Sequence, residues 1–262
     1  MPLCHPAFDH VIVVDWSANN TPKTGADSIW YCYRGATWNP PTRYQAMREI
    51  TALAQSLKGP TLIGFDFPLG FAGFHIPWDL ITELIEDHEN NSNNRFAVAA
   101  ELNRRLTGGP APFWGCPPPH AGPYLTTTKP WGTLPARLTE QRGAKPAWKL
   151  AYPGTCGSQS LTGIPHVLHL RKALGDCSIW PFEQADTKYV IAEIYPSLLP
   201  VTRLENEVKD QAQVRTLDAH FTEPGVLQGY LSVDLPQRAK TEGWILGIGG
   251  ADPWSAREKV RS

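Results

Sequence analysis

The chain has 262 residues, 42% of them hydrophobic, which is ample for one large core. Its formal net charge of −1 excludes a broadly basic surface of the kind that coats DNA or RNA. The start, MPLCHPAFDH, lacks the basic-then-apolar pattern of a secretory signal, and no apolar run reaches membrane-spanning length, so no membrane is expected.

The first predicted element is a strand over residues 10–15, an apolar run that ends abruptly in Asp15 and continues into Trp16 and Ser17. A buried unpaired carboxylate is costly, so Asp15 needs either a partner or a chemical role. The turn-rich SANNTPKTG leads to a second strand within DSIWYCYR, residues 27–34, a connection suited to antiparallel pairing. TRYQAMREITALAQSL, residues 42–57, spaces Met47, Ile50, Leu53, Ala54 and Leu57 as a helix does, and KGP stops it. TLIGFD then repeats the opening pattern, an apolar strand ending in Asp66 and closed by Pro68.

Two helices are predicted next, WDLITELIEDH and NRFAVAAELNRRL, separated by the Asn-rich ENNSNN. Residues 108–153 hold ten prolines together with Trp114, Trp131 and Trp148. That proline density excludes regular structure while the aromatics argue against disorder, so an ordered, irregular excursion covering a site is expected. GTCGSQSLTGIPHVLHLRKAL reads as a Gly/Ser/Thr-rich turn entering a helix, and KYVIAEIYP as a third apolar strand that reaches Glu193 and closes on Pro196. Residues 206–221 form a helix with Val214, Leu217 and Phe221 on one stripe and Asp218 flanking it. RAKTEGWILGIGG and a polar tail follow. No repeat or clean linker divides the chain, so a single domain over 1–262 is expected, with an irregular insertion at about 70–187.

Three apolar strands thus carry a carboxylate at or near the carboxyl end. Each acid alone would suit a turn or helix cap. Together they point to a shared site, because ligands of open α/β sheets sit beyond the carboxyl ends of parallel strands and perturbed charges cluster at functional sites.

VDWSAN, IGFDFPLGF, AEIYPSLL, LDAHF and EGWILGI, taken in order, resemble the domain of unknown function 429 family, described as predicted nucleases of ribonuclease-H-like fold. The resemblance spans nearly the whole chain through short motifs. It departs in the loop DWSANNTPKTG, which is not the Gly-rich turn of many relatives, and in the long aromatic insertion. It implies an α/β fold with a ribonuclease-H-like mixed sheet flanked by helices. Its first, fourth and fifth strands would run parallel side by side, and a late helix would add a further acid. The implied catalytic and metal-binding set is Asp15, Asp66, Glu193 and Asp218, holding two Mg²⁺ or Mn²⁺ ions. Hard cations prefer carboxylate oxygens, and four clustered acids could not all ionise without them.

Further candidates follow from chemistry. Ser17, Lys23, Lys149, Ser158 and Ser160 are candidate substrate-binding residues, the two lysines for phosphate oxygens and the last two serines at a helix start whose amides suit an anion. GTCGSQSLTG lacks P-loop spacing, and an ordinary capped helix start explains it better than an anion site does. His166 and His169 lack a third metal ligand, and Cys156 lacks a histidine partner. The five cysteines form no C-x-x-C pair and are odd in number, which argues against a disulfide framework and for a cytoplasmic location. The leading expectation is a metal-dependent phosphoesterase or nuclease acting on a short nucleic acid. The alternatives are an actin-like nucleotide-binding phosphotransferase or cofactor-pathway protein, for example in molybdopterin dinucleotide metabolism, and a non-enzymatic scaffold that binds a protein partner.

Overall fold

The computed structural model describes residues 8–249 except 133, 142 and 153, so Cys4 and the polar tail lie outside the described residues. The first apolar run forms β1 (His10–Asp15), the third member of a six-stranded mixed sheet. It pairs antiparallel with β2 (Trp30–Tyr33), which pairs with β3 (Ala36–Trp38). On its other side it runs parallel to β4 (Thr61–Phe65), followed by β6 (Tyr189–Glu193) and, at the edge, β5 (Cys177–Trp180). Strands covered on both faces read as continuous apolar runs, and β4, β5 and β6 are buried at every residue.

Helices cover both faces. On one lie α1 (Arg43–Ser56), α2 (Trp78–Leu84), α3 (Arg95–Thr107) and α5 (Gly157–Leu174), with α4 (Leu138–Gln141) a single turn in the connecting chain. Ile50, Ile81, Leu102 and Ile164 from these helices pack with Ile12, Ile63 and Ile191 of the sheet. The Thr42 side chain caps α1 by accepting the Gln45 N–H at 3.2 Å. The opposite face is closed by α6 (Lys209–Phe221), α7 (Val226–Leu231) and the chain from Trp244 to Ile248, after the single-turn α8 (Ala239–Glu242). Val214, Leu217 and Phe221 form the expected stripe against Val11, Val13 and Leu62.

The β2–β3 connection is a two-residue turn with positive φ at both Arg34 (50°) and Gly35 (77°), the mirror-image geometry that matches strand twist. Their two amide groups donate to the Asp218 carboxylate at 3.3 and 2.7 Å.

Two short strands, β3 and β5, were not foreseen, because runs of three and four residues carry too little periodicity. The 70–187 segment is no appendage. It supplies α2, α3 and α5 to one core and β5 to the sheet edge. Within 108–153, Trp148 is buried, stacks on Phe71 at 5.0 Å and donates its indole N–H to the Pro135 carbonyl. Trp114 is half-buried beneath the Lys149 ammonium, and Trp131 is fully exposed. Among the described residues no helix is long and apolar enough to cross a membrane.

Candidate active site at the carboxyl ends of the parallel strands

Strand register decides which acids meet. Val14 pairs with Phe65, so Asp15 and Asp66 emerge side by side one residue later. Side chains alternate along a strand, and these two continue the face of Val13 and Leu62, beneath α6. Glu193 pairs with Phe65 itself and therefore follows Ile191 onto the other face. All three acids reach the same end of the sheet, but only two leave it on the same side.

Asp15 and Asp66 are joined by a side-chain hydrogen bond, which requires one carboxyl to hold a proton. Burial raises the Asp15 carboxyl well above its ordinary range, and the charge of Asp66 raises it further. Burial lifts Asp66 to about 6, against the hydrogen bonds from Asp15 and from the Trp16 N–H, which donates to it at 2.7 Å. Asp210, in the first turn of α6, adds negative potential at both acids. Its own carboxyl is raised by burial and accepts the Asp27 N–H at 2.6 Å.

Trp16 explains why the strand ends as it does. Its indole is buried against Phe65, Phe67 and His166, and donates to the Thr162 hydroxyl at 3.3 Å. Its carbonyl accepts the Gln159 side chain at 2.6 Å. The residue after the catalytic candidate is thus anchored at three points, which fixes Asp15 without using its carboxylate.

A cavity of about 200 Å³ opens at Asp66, lined among others by Arg137, Lys145, Gln159, Glu193 and Lys209, while Asp15 is not among its lining residues. Thr155 and Cys156 bring the N-terminal end of the 18-residue α5 to its wall. Glu193 does not present a free carboxylate there. Arg137 grips both its oxygens at 2.7 Å, with the two residues 1% and 2% exposed, and Glu140 lies 3.4 Å from the guanidinium Nε. The Cys156 thiol is pushed well above its usual range by burial and donates to the Lys145 carbonyl at 3.3 Å, so it is not activated as a nucleophile.

The other sequence-derived candidates lie in different settings. Asp218 caps the β2–β3 turn as described, two helical turns along α6 from Asp210. The Ser17 hydroxyl accepts the Asn19 N–H at 3.4 Å and its carbonyl takes Arg43 Nη1 at 3.2 Å. Lys23 is exposed and pairs with Asp27 at 3.8 Å. Lys149 sits over Trp114. The Ser158 hydroxyl donates to the Leu150 carbonyl and that of Ser160 to the Cys156 carbonyl. His166 meets Asp87 at 2.8 Å, and Arg43 in turn grips Asp87.

Lys145, Lys209, Arg137 and Asp210 were missed as site residues. Lys209 and Asp210 open α6 just before the predicted stripe, a position that favours neither residue over Asp218 in the sequence alone. Arg137 and Lys145 lie in the proline-rich excursion, where no period marks a facing. Among the described residues, no group of three or more His, Cys, Asp or Glu side chains is arranged to hold a metal ion. No family model, curated protein or solved structure matches the chain.

Proposed function

We propose that the protein is a metal-assisted phosphoesterase that hydrolyses phosphodiesters, with Asp15 and Asp66 as its reactive pair. The observation that carries this reading is the hydrogen-bonded pair of strand-end carboxyls, of which Asp66 lines a cavity with Lys145 and Lys209 on its wall. The strand order, with β1, β4 and β6 parallel side by side, supports the ribonuclease-H-like reading and with it the family resemblance.

The donor set fits Mg²⁺ or Mn²⁺. Two carboxyls that burial drives to keep a proton, with the charge of Asp66 adding at Asp15, are suited to a hard dication, and Mg²⁺ is commonly held by one or two carboxylates plus substrate phosphate and water. Asp15 and Asp66 would hold it, whereas Glu193 is committed to Arg137 and Asp218 to a turn. Once bound, the ion would supply Lewis-acid stabilisation of charge on the phosphoryl oxygens. Lys145, Lys209 and the N-terminal end of α5 would receive those oxygens. Asp210, whose charge acts on both acids and whose own proton affinity is raised by burial, would take up the proton shed by attacking water. The cavity volume of about 200 Å³ favours the end of a short strand or a small ester over a duplex. The same volume favours, as a second reading, a nucleotide-binding phosphotransferase. Four buried free cysteines suit a reducing compartment, and we place the protein in the cytoplasm.

The test is cleavage of bis(p-nitrophenyl) phosphate and of short RNA and DNA oligonucleotides with Mn²⁺ or Mg²⁺. Cleavage is expected to fall by on the order of a thousandfold in Asp15→Asn and Asp66→Asn. No cleavage with either metal, alongside a nucleotide-induced rise in melting temperature, would transfer the assignment to the phosphotransferase.

A further inference from the structure

A second cavity, of about 270 Å³, has a different chemistry. Its walls are the rings of Phe71, Phe74, Trp78 and Phe182, and its rim carries His75 and Lys240. No acidic side chain lines it. The Trp78 indole is held by its N–H, which donates to the Leu69 carbonyl at 2.8 Å, and meets the Phe182 ring edge-on at 4.9 Å. These aromatic faces are therefore oriented in advance. Among the described residues, the exposed Lys240 ammonium has no carboxylate partner and the exposed His75 ring no hydrogen bond.

Two glycines make this wall thin. A Cβ on Gly70 would stand 2.7 Å from the Glu242 carbonyl carbon and 2.9 Å from Phe182 Cζ. One on Gly243, whose φ is +78°, would stand 3.4 Å from Phe182 Cζ and 3.6 Å from Arg137 Nη1. Phe182 of the aromatic cavity and Arg137 of the acidic one are thus separated by a single glycine backbone.

We propose that this cavity is a binding site for a planar aromatic phosphate, of the nucleoside monophosphate or aryl phosphate class, distinct from the acid pair. The ring lies against Trp78 and its neighbouring phenyl groups, and the anionic group meets Lys240 and the His75 N–H at the rim. Aromatic walls select a π-face, and an unpaired cation without opposing acid selects negative charge. Size agrees, since the volume approaches the lower end of small-molecule sites.

The experiment is calorimetric titration of the full chain with adenosine 5′-monophosphate and with phenyl phosphate. Phe182→Leu and the exposed Lys240→Ala should each weaken binding on the order of tenfold, with an unchanged melting curve for Lys240→Ala and a cooperative melt well above the titration temperature for Phe182→Leu. Asp15→Asn should bind as the parent does, which separates this proposal from the phosphoesterase reading. Ribose 5-phosphate and inorganic phosphate should neither bind comparably nor displace the probes. Failure of both probes to bind, parent-like affinity in both cavity variants, displacement by inorganic phosphate, or loss of binding in Asp15→Asn would each overturn it.

Discussion

Asp15 and Asp66 end neighbouring parallel strands and share one hydrogen bond, while the Trp16 amide holds Asp66 at 2.7 Å. The arrangement is stable only with a proton or a cation between the carboxyls, since two buried like charges repel strongly in a low local dielectric. Buried acids without a cationic partner are expensive, and Arg137, a buried cation on the wall of the same cavity as Asp66, is turned to Glu193 instead. The strain at the pair is thus local and specific, which gives it measurable consequences.

Replacing Asp15 by Asn keeps the shape and removes a carboxyl that must hold a proton or a charge beside Asp66. The metal-free variant should melt at or above the temperature of the parent, because repulsion with Asp66 and Asp210 is relieved. Millimolar Mn²⁺ should raise the melting temperature of the parent, since a ligand bound only by the folded state stabilises it, and should leave the variant unmoved. Parallel thermal melts decide the matter; an equal metal response in both proteins would remove Asp15 from the ligand set.

The same pair sets a pH dependence. Asp66 is raised from the usual 3.8 to about 6, so the folded state binds a proton more tightly than the unfolded chain. Stability from this group is complete below about pH 4 and is lost as pH rises through about 6. Urea unfolding of metal-free parent and Asp66→Asn between pH 4 and 7 measures the contribution of the coupled pair, because titrating groups away from Asp15 and Asp66 are common to both. The parent should lose stability relative to the variant across this window; a parent that gains would contradict the raised carboxyl.

Asp218 offers a contrast within one helix. Its carboxylate serves the Arg34 and Gly35 amides, so Asp218→Ala should cost about 1 kcal/mol, loosening the β2–β3 turn. Cleavage and the Mn²⁺ response should persist. Hydrogen exchange at those two amides should speed up, and a collapse of activity in a well-folded Asp218→Ala protein would return this residue to the site.

What was legible in the sequence follows from these cases. The opening run to Asp15, the run to Asp66 and the helix of residues 42–57 were readable because burial on both faces or on one stripe leaves a clear period. The strand-end position of Glu193 was legible too, but its facing was not. Facing depends on whether Glu193 pairs with Phe65 or with Asp66, a one-residue matter of register. The choice between Asp210 and Asp218 turns on where α6 begins relative to the sheet. Lys145 and Arg137 come from an irregular segment whose path depends on tertiary contacts such as Trp148 on Phe71. Long-range geometry of that kind leaves no local pattern.

The Arg137–Glu193 pair yields the last prediction. Each oxygen of Glu193 takes one guanidinium nitrogen at 2.7 Å, and neither residue is more than 2% exposed. Two desolvated ions of this kind can contribute little net stability as a pair, yet removing one strands the other. Glu193→Gln and Arg137→Met should therefore each cost about 3–5 kcal/mol. The double variant Arg137→Met/Glu193→Gln should lose clearly less than the sum of the two single losses, because neither member of the pair is left charged without the other. Burial also commits Glu193 to Arg137, so the melting increment given by Mn²⁺ should be the same in folded Glu193→Gln as in the parent. Urea unfolding of the four proteins measures the coupling, and the melts with and without Mn²⁺ measure the metal response. Additive losses would mean that the two residues act independently. A metal response lost in Glu193→Gln but kept in Arg137→Met would make Glu193 a ligand after all, with the guanidinium its restraint.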